Sequence, residues 1–294
     1  MINVEDAIAK ARDAKTVLIA GPTASGKSAL ALRIAEQTGL PVVNADALQV
    51  FEDWRILTAR PSKQDEETAK HLLYGHLPGD SAYSTGAWLR DLAPIIAAGP
   101  AIIVGGTGLN FSALLDGLAE IPSIPKSIFA QGQERLQAEG VDALARELDA
   151  LTASRIDLAN PMRVFRAWTV QQATGRGLAD WQAQTPPPLL RPPFHAFALH
   201  APVDWLNARI EARFDLMMEA GLMDEVAANA RDFSPERPSA KAIGARELVA
   251  YYTSGGALDD VRQAVIVQTR QYAKRQRTWF RNRFSTWDWI DRTV

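Results

Sequence analysis

Residues 16–28, TVLIAGPTASGKS, constrain the fold more than any other stretch of this 294-residue chain. TVLIA is a short, apolar, β-branched run ending at a glycine. Such a run predicts a strand buried on both faces, as in a parallel sheet. SALALRIAEQTG (28–39) predicts a helix that stops at Gly39. Between them, GPTASGKS fits G-x-x-x-x-G-K-[ST] in the strand–turn–helix context that the motif requires. Glycines let backbone N–H groups turn inward around phosphate oxygens, and the helix N-terminus adds its positive end. Lys27 supplies a point charge, and the Ser28 hydroxyl can ligate Mg²⁺. The motif predicts a bound polyphosphate, without specifying ATP hydrolysis.

The rest of the chain repeats the alternation. PVVNA (41–45), AIIVGG (101–106), FHAFALH (194–200) and TWDWI (286–290) predict further strands. LNFSALLDGL, VDWLNARIEARFDLMMEAG and residues 258–283 predict helices. Leu206, Ile210, Phe214 and Met217 recur at helical spacing, so they mark a packed face. Strand–helix alternation implies a doubly wound, mainly parallel α/β sheet. Residues 126–182 offer no strand candidate. Pro122 and Pro125 precede this stretch, and Pro186 to Pro188, Pro192 and Pro193 follow it. Proline-rich joints suit a domain boundary. The expected organisation is a core of 1–121 and 191–294 with a helical insertion over 122–190.

Composition narrows the chemistry. The chain has no cysteine, which excludes disulfides, thiolate metal sites and cysteine nucleophiles. Net charge is −2, so any nucleic-acid surface has to be a local patch. The first 21 residues carry acids and no apolar h-region, and no run approaches a membrane span. A cytoplasmic protein without membrane contact is expected.

Three features ask for a role. Asp46 ends the second strand, about twenty residues after the phosphate loop. From the residues alone it could be a metal ligand, a ribose contact, a general base or a helix cap. Thr107, in GGTGLNFSALL, opens a helix at the carboxyl edge of the sheet, where open α/β sheets bind ligands. It could equally be an N-cap. TRQYAKRQRTWFRNR (269–283) carries Arg270, Lys274, Arg275, Arg277, Arg281 and Arg283 and no acid, with Tyr272, Trp279 and Phe280 interleaved. It reads either as a surface for RNA phosphates and bases or as a solvated face with aromatics in the core.

Taken together and in order, GPTASGKSALAL, NADALQVF, TARP, VGGTGLNFSALLDGL, RIEARFDLMMEAGLMDEV, AIGARE and TRQYAKRQRTWFR resemble the bacterial tRNA dimethylallyltransferase family. The resemblance runs from about residue 15 to 290. It implies a P-loop NTPase-like fold and a small helical domain that helps grip tRNA. It implies transfer of a dimethylallyl group from dimethylallyl diphosphate to N6 of the adenine at position 37, beside the tRNA anticodon. Gly21, Pro22, Thr23, Ala24, Ser25, Gly26, Lys27 and Ser28 would hold the donor's diphosphate with Arg213, and Mg²⁺ would sit at Ser28. Asp46, Thr107 and Lys27 would be catalytic, with Asp46 acting on the exocyclic amine. The RNA-contacting stretches fall on Asp46, Ala47, Leu48 and Gln49; on Met162, Arg163 and Arg166; on Lys241, Gly244 and Arg246; and on Lys274, Arg275, Arg277 and Arg281. A monomer is implied. Ala47, Phe51 and Asn110 stand where the family usually has serine, tyrosine and tyrosine. A related enzyme that prenylates free AMP, ADP or ATP, a small-metabolite kinase and a catalytically inert RNA binder are the competing readings.

Overall fold

The computed structural model describes residues 1–13 and 15–291. Six strands form one all-parallel sheet: β1 (Val17–Ala20), β2 (Val42–Asn44), β3 (His71–Leu72), β4 (Ile102–Gly105), β5 (His195–His200) and β6 (Asp288–Asp291). Their order is β3-β2-β4-β1-β5-β6. The expected strands all appear. The addition is β3, two residues at the sheet edge, too short for any alternation to register in the sequence.

The apolar runs are explained by burial on both faces. Val17 and Ile19 of β1, Ile102 and Val104 of β4, and Phe197 and Leu199 of β5 pack with Ala7, Ile8 and Ala11 of the Val4–Ala11 helix. Leu30, Ala31 and Ile34 of the Lys27–Thr38 helix complete that layer. Leu18 and Ile103 alternate to the other side and are fully buried too. Alternate residues of a strand face opposite ways, so both faces are core.

Further helices extend this unit. Trp54, Leu57, Leu222, Val226, Leu248 and Val249 form one cluster, and Ile210, Phe214, Val265, Ile266 and Ala273 another. The helix expected over 258–283 spans Leu258–Arg283 without an internal glycine or proline. No helix among the described residues is long and apolar enough to cross a membrane.

Chain contacts divide the molecule into two units, Met1–Ser112 with Leu190–Val294, and Ala113–Leu189. The outgoing joint lies nearer Ala113 than the prolines at 122 and 125 imply. The reason is local: the chain at Gly117 runs against the returning chain, so close that a Cβ there would meet the Pro186 carbonyl oxygen at 2.2 Å. The regular elements of the second unit are all helices among its described residues. Leu144, Val164, Phe165, Ala167 and Trp168 form its core.

Candidate active site

Two adjacent strands, β1 and β4, deliver their carboxyl ends to the same place. After β1 comes the phosphate loop. Ala24 and Gly26 take positive φ (63° and 84°), the left-handed positions that let the loop turn tightly into the helix. Gly21 is required by close packing, because a Cβ there would lie 2.7 Å from Ser25 Oγ. That hydroxyl is buried and has no hydrogen-bond partner. Lys27 and Ser28 open the following helix.

β2 ends beside them, and Asn44, the polar residue inside that strand, explains how its loop is held. Its Nδ2 donates to the carbonyls of Asp46 and Leu73, both at 3.0 Å. Its Oδ1 accepts the Asp46 N–H at 2.8 Å. Trp88 Nε1 donates to its backbone carbonyl at 2.7 Å. Asp46 is thereby fixed at the strand's end. Its Oδ1 accepts the Leu48 N–H at 3.0 Å, an Asx turn. Thr107 occupies the position just before the Gly108–Asp116 helix. Its Oγ1 accepts the Ala47 N–H at 3.0 Å and so ties the second glycine loop to the aspartate loop. Asn110, buried, accepts from Thr85 Oγ1 at 2.9 Å and so fills its place with a polar contact.

Lys27, Ser28, Asp46, Arg209, Arg213, Tyr272 and Gln276 line one pocket of about 240 Å³. Arg213 Nη1 donates to Thr23 Oγ1 at 2.6 Å, and Arg209 Nε donates to the Ala24 carbonyl at 3.0 Å. Three cations therefore converge on the phosphate loop. Burial pushes the Lys27 ammonium down to about 8; Asp46 opposes that shift and Arg213 adds to it. Burial also lowers Arg213 from its ordinary value. Tyr272 and Tyr74 are raised, first by burial and then by Asp46, so both stay phenols. The remainder of the wall is apolar: Leu57, Ile210, Phe214, Met217, Ile243, Val265 and Ile266.

Gln276, Tyr272 and Arg209 were not singled out as site residues by sequence reasoning. Gln276 carried a faint signal, a neutral residue inside a basic run, four positions from Tyr272 and from Phe280. Arg209 lies one turn before Arg213 on the same helix. No group of three or more His, Cys, Asp or Glu able to hold a metal exists among the described residues. A resident ion is not what this donor set fits. Ser28 and Asp46 both line the pocket, and their oxygens are the ones that could hold Mg²⁺ together with a diphosphate.

The expected RNA-contacting residues fall into separate groups. Ala47, Leu48 and Gln49 follow Asp46, and Leu48 and Gln49 line the pocket. The Gln49 Nε2 is already committed to the carbonyls of Thr58 and Ala59. Lys241 ends a short 3₁₀ turn, while Gly244 (φ 91°) packs under Val265, where a Cβ would fall 2.9 Å from Cγ2. Arg246 donates to the Pro235 carbonyl at 2.8 Å. Lys274 and Arg275 are exposed, and Arg275 lies over the Tyr272 ring. In the second unit, Met162, Arg163 and Arg166 share the exposed face of the Pro161–Thr174 helix, whose other face is core.

The IPP transferase family model matches residues 49–283, and the isopentenyl transferase model matches 14–74. A tRNA dimethylallyltransferase of Cereibacter sphaeroides is 55% identical over 93% of this chain and 88% of its own. The chain belongs to the tRNA dimethylallyltransferase family. Solved structures agree on the fold. The tRNA isopentenylpyrophosphate transferase of Bacillus halodurans superposes with a TM-score of 0.66 at 27% identity, covering 95% of this chain and 90% of that one. A eukaryotic dimethylallyltransferase acting on tRNA superposes at 0.77, with 23% identity, over 95% and 74%. Membership in this family accounts for a phosphate loop without the Mg²⁺-binding aspartate strand of an ATPase. It also favours a tRNA substrate over free adenylate.

Proposed function

We propose that this protein transfers the dimethylallyl group of dimethylallyl diphosphate to N6 of the adenine at position 37 of tRNA, releasing diphosphate. The observation that carries the reading is the mixed lining of one pocket. Phosphate-loop residues, Lys27, Arg209 and Arg213 line it together with apolar side chains, and Asp46 lines it too. A diphosphate ester of a five-carbon alkene needs both kinds of contact.

The chemistry follows from the arrangement. The N6 lone pair forms a bond to C1 of the donor as the C1–O bond to diphosphate breaks, and the amine proton passes to a carboxylate. Adenine N6 is a weak nucleophile, so a base in hydrogen-bond reach lowers the barrier. Asp46 suits that task. One carboxylate oxygen is held by the Leu48 N–H, which leaves the other for the amine. Negative charge grows on the leaving diphosphate, where Lys27, Arg213 and the loop amides are preorganised for it. Mg²⁺, when bound with the diphosphate, adds charge neutralisation there. The adenine has to leave its stack to reach a recessed carboxylate, as base-modifying enzymes generally require.

Thermal unfolding tests the donor assignment. With Mg²⁺ present, dimethylallyl diphosphate should raise the Tm more than inorganic diphosphate, because the apolar wall recognises the alkyl group. Stabilisation by ATP with none from dimethylallyl diphosphate would contradict the reading.

A further inference from the structure

The first unit holds a second cavity, of about 690 Å³, that the prenyl-transfer chemistry does not use. Its walls are the end of β5 and its exit (Leu199–Val203), the residues leading into β6 (Trp287–Trp289), Met1 and Ile2, and one face of the Leu258–Arg283 helix. That face presents Arg277 and Arg281, one turn apart, with Phe280 between them. Other cations of this helix are committed: Arg262 to Asp215, and Arg270 to Glu211. Among the described residues, Arg277 and Arg281 enter no ion pair, although they line a cavity. The carboxylate in the wall, Asp288, is neutralised by Lys10 at 2.8 Å. The cavity wall thus carries two guanidiniums together with the rings of Trp289 and of Trp287, the latter stacked on Phe284 at 3.9 Å. Its size falls in the range of small-molecule sites.

From this juxtaposition we infer that the cavity is a second nucleotide pocket. Arg277 and Arg281 take the phosphate, and the Trp289 ring receives the base. Base–aromatic stacking accepts any base, and paired guanidiniums suit phosphate oxygens. The occupant is a nucleotide of the bound tRNA other than the adenine being modified. This step rests on the proposed function. Its support is position: Gln276, which reaches the phosphate loop, and Arg277, which faces this cavity, are consecutive residues on one helix. A single RNA strand lying over that helix could place its target base on one side and a second base on the other.

The test uses the full-length protein and an anticodon stem-loop carrying 2-aminopurine at one loop position at a time. Increased emission at the target position, as the base leaves its stack, reports entry into the transfer site; quenching by tryptophan at a second position reports the new pocket. The expected result is strong quenching at one further loop position. It should be lost in V203W, which fills the cavity from an exposed wall residue, and in the double variant R277A/R281A. Both variants should bind the stem-loop about tenfold more weakly. Thermal unfolding with dimethylallyl diphosphate checks that each variant is folded. A signal at the target position alone would overturn the inference, as would a second signal that survives in both variants. Saturable binding of free AMP that V203W abolishes, with RNA quenching intact, would assign the cavity to a free mononucleotide and overturn the RNA assignment. Absence of the target signal would count against the proposed function, while the second-position signal would still stand for the pocket.

Discussion

Gln276 and Thr23 lie 253 residues apart in the chain and are joined by a 2.8 Å hydrogen bond, the Thr23 N–H donating to Gln276 Oε1. The other end of the same amide donates to the Gly106 carbonyl at 2.9 Å. One buried side chain therefore links the phosphate loop after β1, the glycine loop after β4 and the long basic helix. Gly106 has to be glycine for this, because a Cβ there would fall 2.3 Å from Gln276 Nε2. Gln276→Ala leaves a buried donor and acceptor without partners, at about 1–3 kcal/mol each. The expected result is a rise in the donor's KM of roughly 10- to 100-fold, in line with that energy, with a smaller fall in kcat. An unchanged donor KM would show that the loops hold their shape without it.

Asp46→Asn keeps an oxygen for the Leu48 N–H and removes the proton acceptor. It should lower kcat by about 10² to 10⁴ and leave tRNA binding intact. Loss of tRNA binding with turnover retained would move Asp46 from chemistry to recognition.

Thr107→Val is nearly isosteric and removes the acceptor of the Ala47 N–H. Ala47 is exposed, so water replaces the bond and stability changes little. The Asp46 loop loses its tether, and kcat should fall by roughly tenfold, about 1 kcal/mol. A variant with full turnover would return Thr107 to the role of a simple helix-opening residue.

Lys27 sets a pH dependence. Its ammonium loses its proton near 8 in the free protein, so affinity for the donor should fall as pH rises through that value. Binding at pH 8.5 should take up a proton, measurable by calorimetry in buffers of different ionisation enthalpy. The stability effect has a definite sign. Between about 8 and the ordinary lysine value of 10.5, the folded chain binds fewer protons than the unfolded chain. Folding stability from this residue therefore rises with pH across that window. Lys27→Met should be more stable than the parent at pH 7, by about 3 kcal/mol, while losing donor binding. The gain should vanish at pH values above 10.5.

Much of this was legible in the sequence because the strongest signals were local. TVLIA and AIIVGG announce buried strands through their apolar runs, and GPTASGKS announces its own turn. Asp46, Thr107, Lys27 and Arg213 could be named by resemblance; Lys27, Asp46 and Arg213 line one pocket, and Thr107 meets the aspartate loop at the Ala47 N–H. What stayed hidden was long-range. Gln276 looks like one more polar residue on a basic helix until that helix lies against two glycine loops. Asn44 looks like an interruption of β2, yet it supplies four of the bonds that shape the aspartate loop. Two-residue β3 has no periodicity to read. Polar contacts between distant segments leave no spacing pattern in the chain, and they set this site.

The most direct test of the central claim is a transfer assay with labelled dimethylallyl diphosphate and Mg²⁺. The acceptors, offered separately, are an anticodon stem-loop with adenine at position 37, the same stem-loop with guanine there, and free AMP. Label on the adenine stem-loop alone is the predicted result. Label on AMP, or equal label on the guanine stem-loop, would contradict it.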